Sequence, residues 1–120
     1  MEKDAAFEPI GTIIGEGASF NGDFSIEGSI RIDGEFRGKV QSENKIIIGN
    51  TGKVYTNLEG RRIIIAGYVE GNVFGTEVVH LMAPAKVVGD IHAANLIVDE
   101  GVQFDGRARI HSKVAEDLQD

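Results

Sequence analysis

A short motif that returns at nearly constant spacing constrains this chain more than anything else in it. An apolar-x-Gly-x-apolar unit occurs as Phe20-Asn21-Gly22-Asp23-Phe24, Phe36-Arg37-Gly38-Lys39-Val40 and Val69-Glu70-Gly71-Asn72-Val73. It returns as Val87-Val88-Gly89-Asp90-Ile91 and Phe104-Asp105-Gly106-Arg107-Ala108, and a sixth copy, Val54-Tyr55-Thr56-Asn57-Leu58, has Thr at its centre. The centres at 22, 38, 56, 71, 89 and 106 are separated by 16, 18, 15, 18 and 17 residues. A second unit precedes each copy: Thr12-Ile13-Ile14, Ile30-Arg31-Ile32, Ile46-Ile47-Ile48, Ile63-Ile64-Ile65, Val79-His80-Leu81 and Leu96-Ile97-Val98. Such β-branched runs, bounded by Gly, Asn, Asp and Pro, read as strands. No segment sustains apolar spacing at i, i+3, i+4, i+7, so little helix is expected.

A period near 17 is too short for a pair of helices or a propeller blade. It matches one coil of a β-helix with three short strands, each coil stacking on the last at about 4.8 Å. The expected fold is therefore all-β, a single-stranded parallel β-helix of about six rungs over residues 12–110, with tails at 1–11 and 111–120. Period 2 along a strand points Phe20, Gly22 and Phe24 inward and Asn21 and Asp23 outward. An inward Gly is expected where a large side chain arrives from another face. The outward column Asp23, Lys39, Asn57, Asn72, Asp90, Arg107 sets opposite charges and an Asn pair over one another, as in-register stacking favours.

Composition narrows the function. Glycine, at 16 of 120 residues, is nearly double its usual share of roughly 7%, without the G-X-Y period of collagen. With 42% hydrophobic residues the chain has enough apolar surface to fold. There is no Cys, hence no disulfide or thiolate metal site, which is compatible with a reducing cytoplasm. The N-terminus has no signal-peptide pattern, and no apolar run is long enough to span a bilayer. A net charge of −7 offers no basic surplus to displace counterions from phosphates, so nucleic acid is not an expected partner.

The rhythm of Ile32-Asp33-Gly34-Glu35-Phe36-Arg37-Gly38-Lys39-Val40 and Ala66-Gly67-Tyr68-Val69-Glu70-Gly71-Asn72-Val73 resembles the bactofilin family, over about residues 12–110. The resemblance implies a right-handed parallel β-helix that polymerises without nucleotide into non-polar cytoskeletal filaments and serves cell shape or envelope organisation. It also implies a cytoplasmic location, self-association as the main partnership, contact with the inner face of the cell membrane, and envelope or cell-wall proteins as further partners. Many members of that family reach the membrane through a short apolar or basic N-terminal segment. Residues 1–9 here hold one Lys, three acids and a lone Phe7, which departs from that pattern.

The rival architecture is the left-handed hexapeptide β-helix of acyltransferases and carbonic-anhydrase-like enzymes. Ile14, Phe20, Ile26 and Ile32 keep its six-residue step, but the phase fails afterwards and coils run at 15–18 residues. A non-filamentous β-helical scaffold is a further alternative. Chemistry is otherwise thin. His80, His92 and His111 lack a ligand spacing and read as surface histidines. Gly49-Asn50-Thr51-Gly52-Lys53-Val54 lacks both the gap and the hydroxyl of a phosphate loop, and Gly15-Glu16-Gly17-Ala18-Ser19-Phe20 misses the last Gly of a dinucleotide fingerprint. Carboxylates are scattered, with no acid/base pair. The chain is expected to be no enzyme and to need no cofactor or metal.

Two surfaces are expected to matter instead. The first and last rungs leave core and backbone uncovered, which makes Ile14, Phe20, Phe24, Phe104 and Ile110 the candidate polymerisation interface. The ten mostly polar residues after Ile110 are not expected to seal that end. The second surface is an outward column on the preceding strands, Ile13, Arg31, Ile47, Ile64, His80, Ile97. Its four isoleucines, Ile13, Ile47, Ile64 and Ile97, form a lateral or membrane-facing stripe, or serve strand propensity alone.

Overall fold

The computed structural model describes residues 10–110, and every one of its strand pairings is parallel. The tails expected at 1–11 and 111–120 fall outside the described residues except for 10 and 11.

The chain winds through six rungs, each crossing three faces. On the first face lie β1 (Ile10–Ile14), β4 (Ser29–Ile32) and β7 (Lys45–Ile48). They continue into the C-terminal halves of β9 (Leu58–Ile65), β11 (Val73–Leu81) and β13 (Ile91–Val98). The second face stacks β2 (Ser19–Asn21), β5 (Glu35–Arg37), β8 (Lys53–Tyr55), β10 (Tyr68–Glu70), β12 (Lys86–Val88) and β14 (Gln103–Asp105). The third holds β3 (Phe24–Ile26), β6 (Val40–Ser42), the N-terminal halves of β9, β11 and β13, and β15 (Ala108–Ile110). In the three long strands the chain rounds the corner from third face to first without breaking, with a register shift between Gly75 and Val78.

Hydrophobic burial organises these strands into inward columns. Ile32, Ile48, Ile65 and Leu81 stack on the first face and Phe36, Val54, Val69 and Val87 on the second, all fully buried. Val40, Leu58, Val73 and Ile91 do the same on the third. The six-residue step Ile14-Phe20-Ile26-Ile32 places one inward residue on each successive face of the first coil. It ends there because later coils differ in length.

The repeated glycine has a different cause from the one expected. The apolar-x-Gly-x-apolar unit is two strands: one ends before the Gly on the second face, and the next begins two residues after it on the third. The Gly is the corner. At Gly38, with φ +123°, an added Cβ would collide with the carbonyl oxygen of Gly22 one rung below, and at Gly89, φ +140°, with that of Gly71. Positive φ and close backbone approach both select Gly. The explanation from side-chain crowding holds elsewhere. On the third face Ser42, Gly60, Gly75 and Ala93 form a small-residue column, and a Cβ on Gly75 would press on Cγ2 of Val79.

The outward Asx column also differs from expectation. Its register is as read, but its work is backbone capping rather than ion pairing. The Asp23 Oδ1 accepts the Lys39 N–H (3.2 Å) and the Asn57 Oδ1 the Asn72 N–H (2.8 Å). The Asn72 Oδ1 accepts the Asp90 N–H and the Asp90 Oδ1 the Arg107 N–H, both at 3.2 Å. Each side chain thereby satisfies a donor at the corner one rung on, a group that would otherwise go unpaired where the chain turns.

Candidate assembly surfaces

The same inward columns that are sealed in the middle of the rod open at its ends. In the last rung Val98 is 51% and Ile110 44% exposed, although both continue columns that are buried one rung earlier, at Leu81 and Ala93. Phe104 stacks on Val87 and is half-buried, as are Leu96 and Val102. Sequence reasoning named Phe104 and Ile110 at this end and missed Val98, Leu96 and Val102. The signal was available, since each is the sixth member of an inward column.

The first rung is closed further. Ile14 is only 8% exposed and belongs to the core, while Phe20 and Phe24 are half-buried. Their rings meet edge-on with centroids 4.4 Å apart, and Phe20 stacks on the buried Phe36 at 5.2 Å. Such aromatic pairs add about 0.5–1.5 kcal/mol beyond burial. The structure thus brings Phe20 and Phe24 together at one end, sets Phe104 and Ile110 at the other, and leaves Ile14 beneath the first surface.

The isoleucine stripe lies in the register read from the sequence: Ile13 pairs with Arg31, Arg31 with Ile47, Ile47 with Ile64, Ile64 with His80 and His80 with Ile97. Ile13 is 62% and Ile97 47% exposed, whereas Ile47 and Ile64 are half-buried. Polar groups interrupt and flank the column. Arg31 donates to Asp33 at 2.8 Å, and His80 Nε2 lies 3.1 Å from Asp99. Beside it, Glu77 accepts from Arg62 at 2.5 Å and lies 3.5 Å from Arg61. The Arg62 guanidinium holds the Glu77 carboxyl below the usual carboxylate range, overriding an opposing effect of desolvation.

The other two faces carry their own surface features. On the second face Arg37 lies over the Tyr55 ring at 4.3 Å. Tyr68 donates to Glu70 at 2.8 Å, a bond that pushes its phenol up. On the third, Phe74 stacks on His92 with centroids 4.9 Å apart. His80 and His92 therefore sit on different faces with different partners, and His111 lies outside the described residues. Gly49-Asn50-Thr51-Gly52 and Gly15-Glu16-Gly17-Ala18 are corners, each closed by a hydrogen bond from the fourth residue's N–H to the first residue's carbonyl (2.9 and 3.0 Å).

Comparison with known proteins agrees with this architecture. Residues 12–109 match the bactofilin family model, described as polymer-forming cytoskeletal. The chain is similar to Bactofilin BacO of Myxococcus xanthus (strain DK1622), 29% identical over 102 residues that span 85% of this chain and 81% of that protein. It is also 29% identical over 96 residues to Bactofilin BacP of the same organism, spanning 80% of this chain but 40% of that longer protein. No solved structure matches at comparable significance. A six-rung parallel β-solenoid, built on the quoted glycine rhythm and matched from its first strand to its last, belongs to the bactofilin family of polymer-forming cytoskeletal proteins.

Proposed function

We propose that this chain is a filament subunit that self-associates end to end through its first and last rungs, without nucleotide, metal or cofactor. The observation that carries this reading is the opening of the core at the last rung, where Val98 and Ile110 continue buried columns into exposed positions and Phe104 is only half-buried. A β-solenoid end also presents the unpaired edge of every face, which another end can satisfy. Burying one such side chain contributes roughly 1.5–3 kcal/mol. Several per end give an adequate driving force for a polymer.

The two ends differ, aromatic at Phe20 and Phe24 and mainly aliphatic at Leu96, Val98 and Ile110. Like ends meet like in this reading, giving a non-polar filament. The setting is the cytoplasm, at the inner face of the cell membrane, with a role in cell shape or envelope organisation and with envelope or cell-wall proteins as further partners. In this reading the polymerising unit is the domain at residues 12–110. No catalytic step is assigned.

Purified protein in chelator, with no nucleoside triphosphate, should form filaments by negative-stain electron microscopy. Strict dependence on ATP, GTP or a divalent ion would overturn this reading.

A further inference from the structure

The outward column of the first face reads Ile13, Arg31, Ile47, Ile64, His80, Ile97 from the first rung to the last. In residue class it is a palindrome: apolar, basic, apolar, apolar, basic, apolar. We propose that this face pairs two copies side by side and antiparallel, about a two-fold axis running along the strands between the third and fourth rungs.

That operation lays rung one on rung six, two on five and three on four. Ile13 then meets Ile97, Ile47 meets Ile64, and Arg31 meets His80 of the second copy. An isologous contact must be complementary to itself in this way. The polar pair fits because each basic side chain brings its own acid: Arg31 holds Asp33 at 2.8 Å and His80 Nε2 lies 3.1 Å from Asp99. In the flanking column Lys45 comes opposite Arg62, and the Glu77 carboxylate bonded to Arg62 offsets that approach. The other face-to-face two-fold, along the rod, would set each rung on itself, Arg31 on Arg31, and place no acid from another rung nearby.

The size of the face defines how it acts. Six rungs at about 4.8 Å and four residues at about 3.3 Å give roughly 400 Å² a side, or about 800 Å² in total, below the roughly 1,200 Å² of a stable specific dimer. One pair of rods is therefore a weak complex. Repeated along two filaments, the contacts add. The pairing geometry itself is independent of how the ends join.

The chain has no Cys, so single thiols report the register. Arg31→Cys and His80→Cys are treated separately and as an equal mixture with a bifunctional thiol reagent of about 8 Å reach, against sheets that pack about 10 Å apart. Antiparallel pairing superimposes the two positions. Copies of one variant hold their thiols about three rungs, or about 14 Å, apart, and no end-to-end joint, whichever ends meet, brings any two of these positions closer than that. The expected result is a covalent dimer in the mixture at least fivefold above either variant alone. It should persist with Phe104→Arg, which blocks the end, and vanish with Ile47→Thr, Ile64→Thr and Ile97→Thr combined at unchanged circular dichroism. Equal dimer in the single variants, or none in the mixture, overturns the proposal. Stripe-dependent sedimentation with phosphatidylglycerol vesicles but no mixed dimer assigns the face to lipid and also overturns it. Missing filaments with an intact mixed dimer would count against end joining alone.

Discussion

The inner rungs and the end rungs are made of the same columns, yet they stand in opposite relation to water. Phe20, Phe36, Val54, Val69, Val87 and Phe104 form one inward line on the second face; the middle four are fully buried and the outer two are half-buried. A middle residue is covered by a neighbour on each side, an end residue by one. In a solenoid, where each rung contacts only its neighbours, position along the axis decides whether a side chain holds the fold or remains available for contact. Residue type does not.

The sharpest way to break this comparison is to put one charge at both kinds of position. Val69→Arg should abolish the fold. It removes a buried side chain and forces an unpaired cation into a dry interior, at a cost of several kcal/mol against a total stability of about 5–15 kcal/mol. The far-ultraviolet β signal should be lost at 25 °C. A folded Val69→Arg protein would mean that the middle columns are not the core.

Phe104→Arg should leave circular dichroism unchanged, because its guanidinium can reach water past the open rung. It should remove filaments, as the lost burial of about 1.5–3 kcal/mol per copy, counted twice where two like ends meet, weakens the joint by roughly a hundred- to ten-thousandfold before the charge is counted. The product also tells the ends apart. If like ends join, the aromatic rungs at Phe20 and Phe24 still pair and light scattering finds dimers, as we expect; head-to-tail joining leaves monomers. Normal filaments from this variant would remove the last rung from the interface.

Much of this was legible in the sequence, and for one reason. The glycine spacing sets the rungs, and once the rungs are set the registers of Ile13 through Ile97 and of Asp23 through Arg107 follow. What the spacing does not encode is where the chain turns. An inward Gly and a corner Gly leave the same trace in a single sequence. The unit around Gly38 therefore read as one strand, although its positive φ and the close approach of the Gly22 carbonyl one rung below make it a bend between β5 and β6. Thr56 occupies the equivalent corner without positive φ, so the motif is a preference of the corner, not a requirement at every rung. At the last rung Val98 went unnoticed for a related reason. In the motif it is one more strand residue, and only its place as the sixth of six uncovers it.

The mildest effect concerns how adjacent inner rungs are stitched at the surface. Glu77 on β11 accepts from Arg62 on β9 and lies 3.5 Å from Arg61, so one carboxylate ties the fifth rung to the fourth. The N–H groups of Arg61 and Arg62 in turn donate to the Asn44 carbonyl at 3.0 and 3.1 Å, carrying the seam to the third rung. Because the folded state holds the Glu77 carboxyl below its ordinary value, its contribution is present above the ordinary carboxylate range and is lost as pH falls through the depressed value. The group is open to water, where ion pairs are weak and screened. Glu77→Gln should therefore lower the thermal midpoint slightly at pH 7 and low salt. The difference from the unchanged protein should close as pH falls below the carboxylate range, and also at about 1 M salt, where the screening length is about 3 Å. A difference that survives both acid and salt would show that Glu77 acts through packing at this corner. That would put the seam with the buried inner columns rather than with the solvated surface.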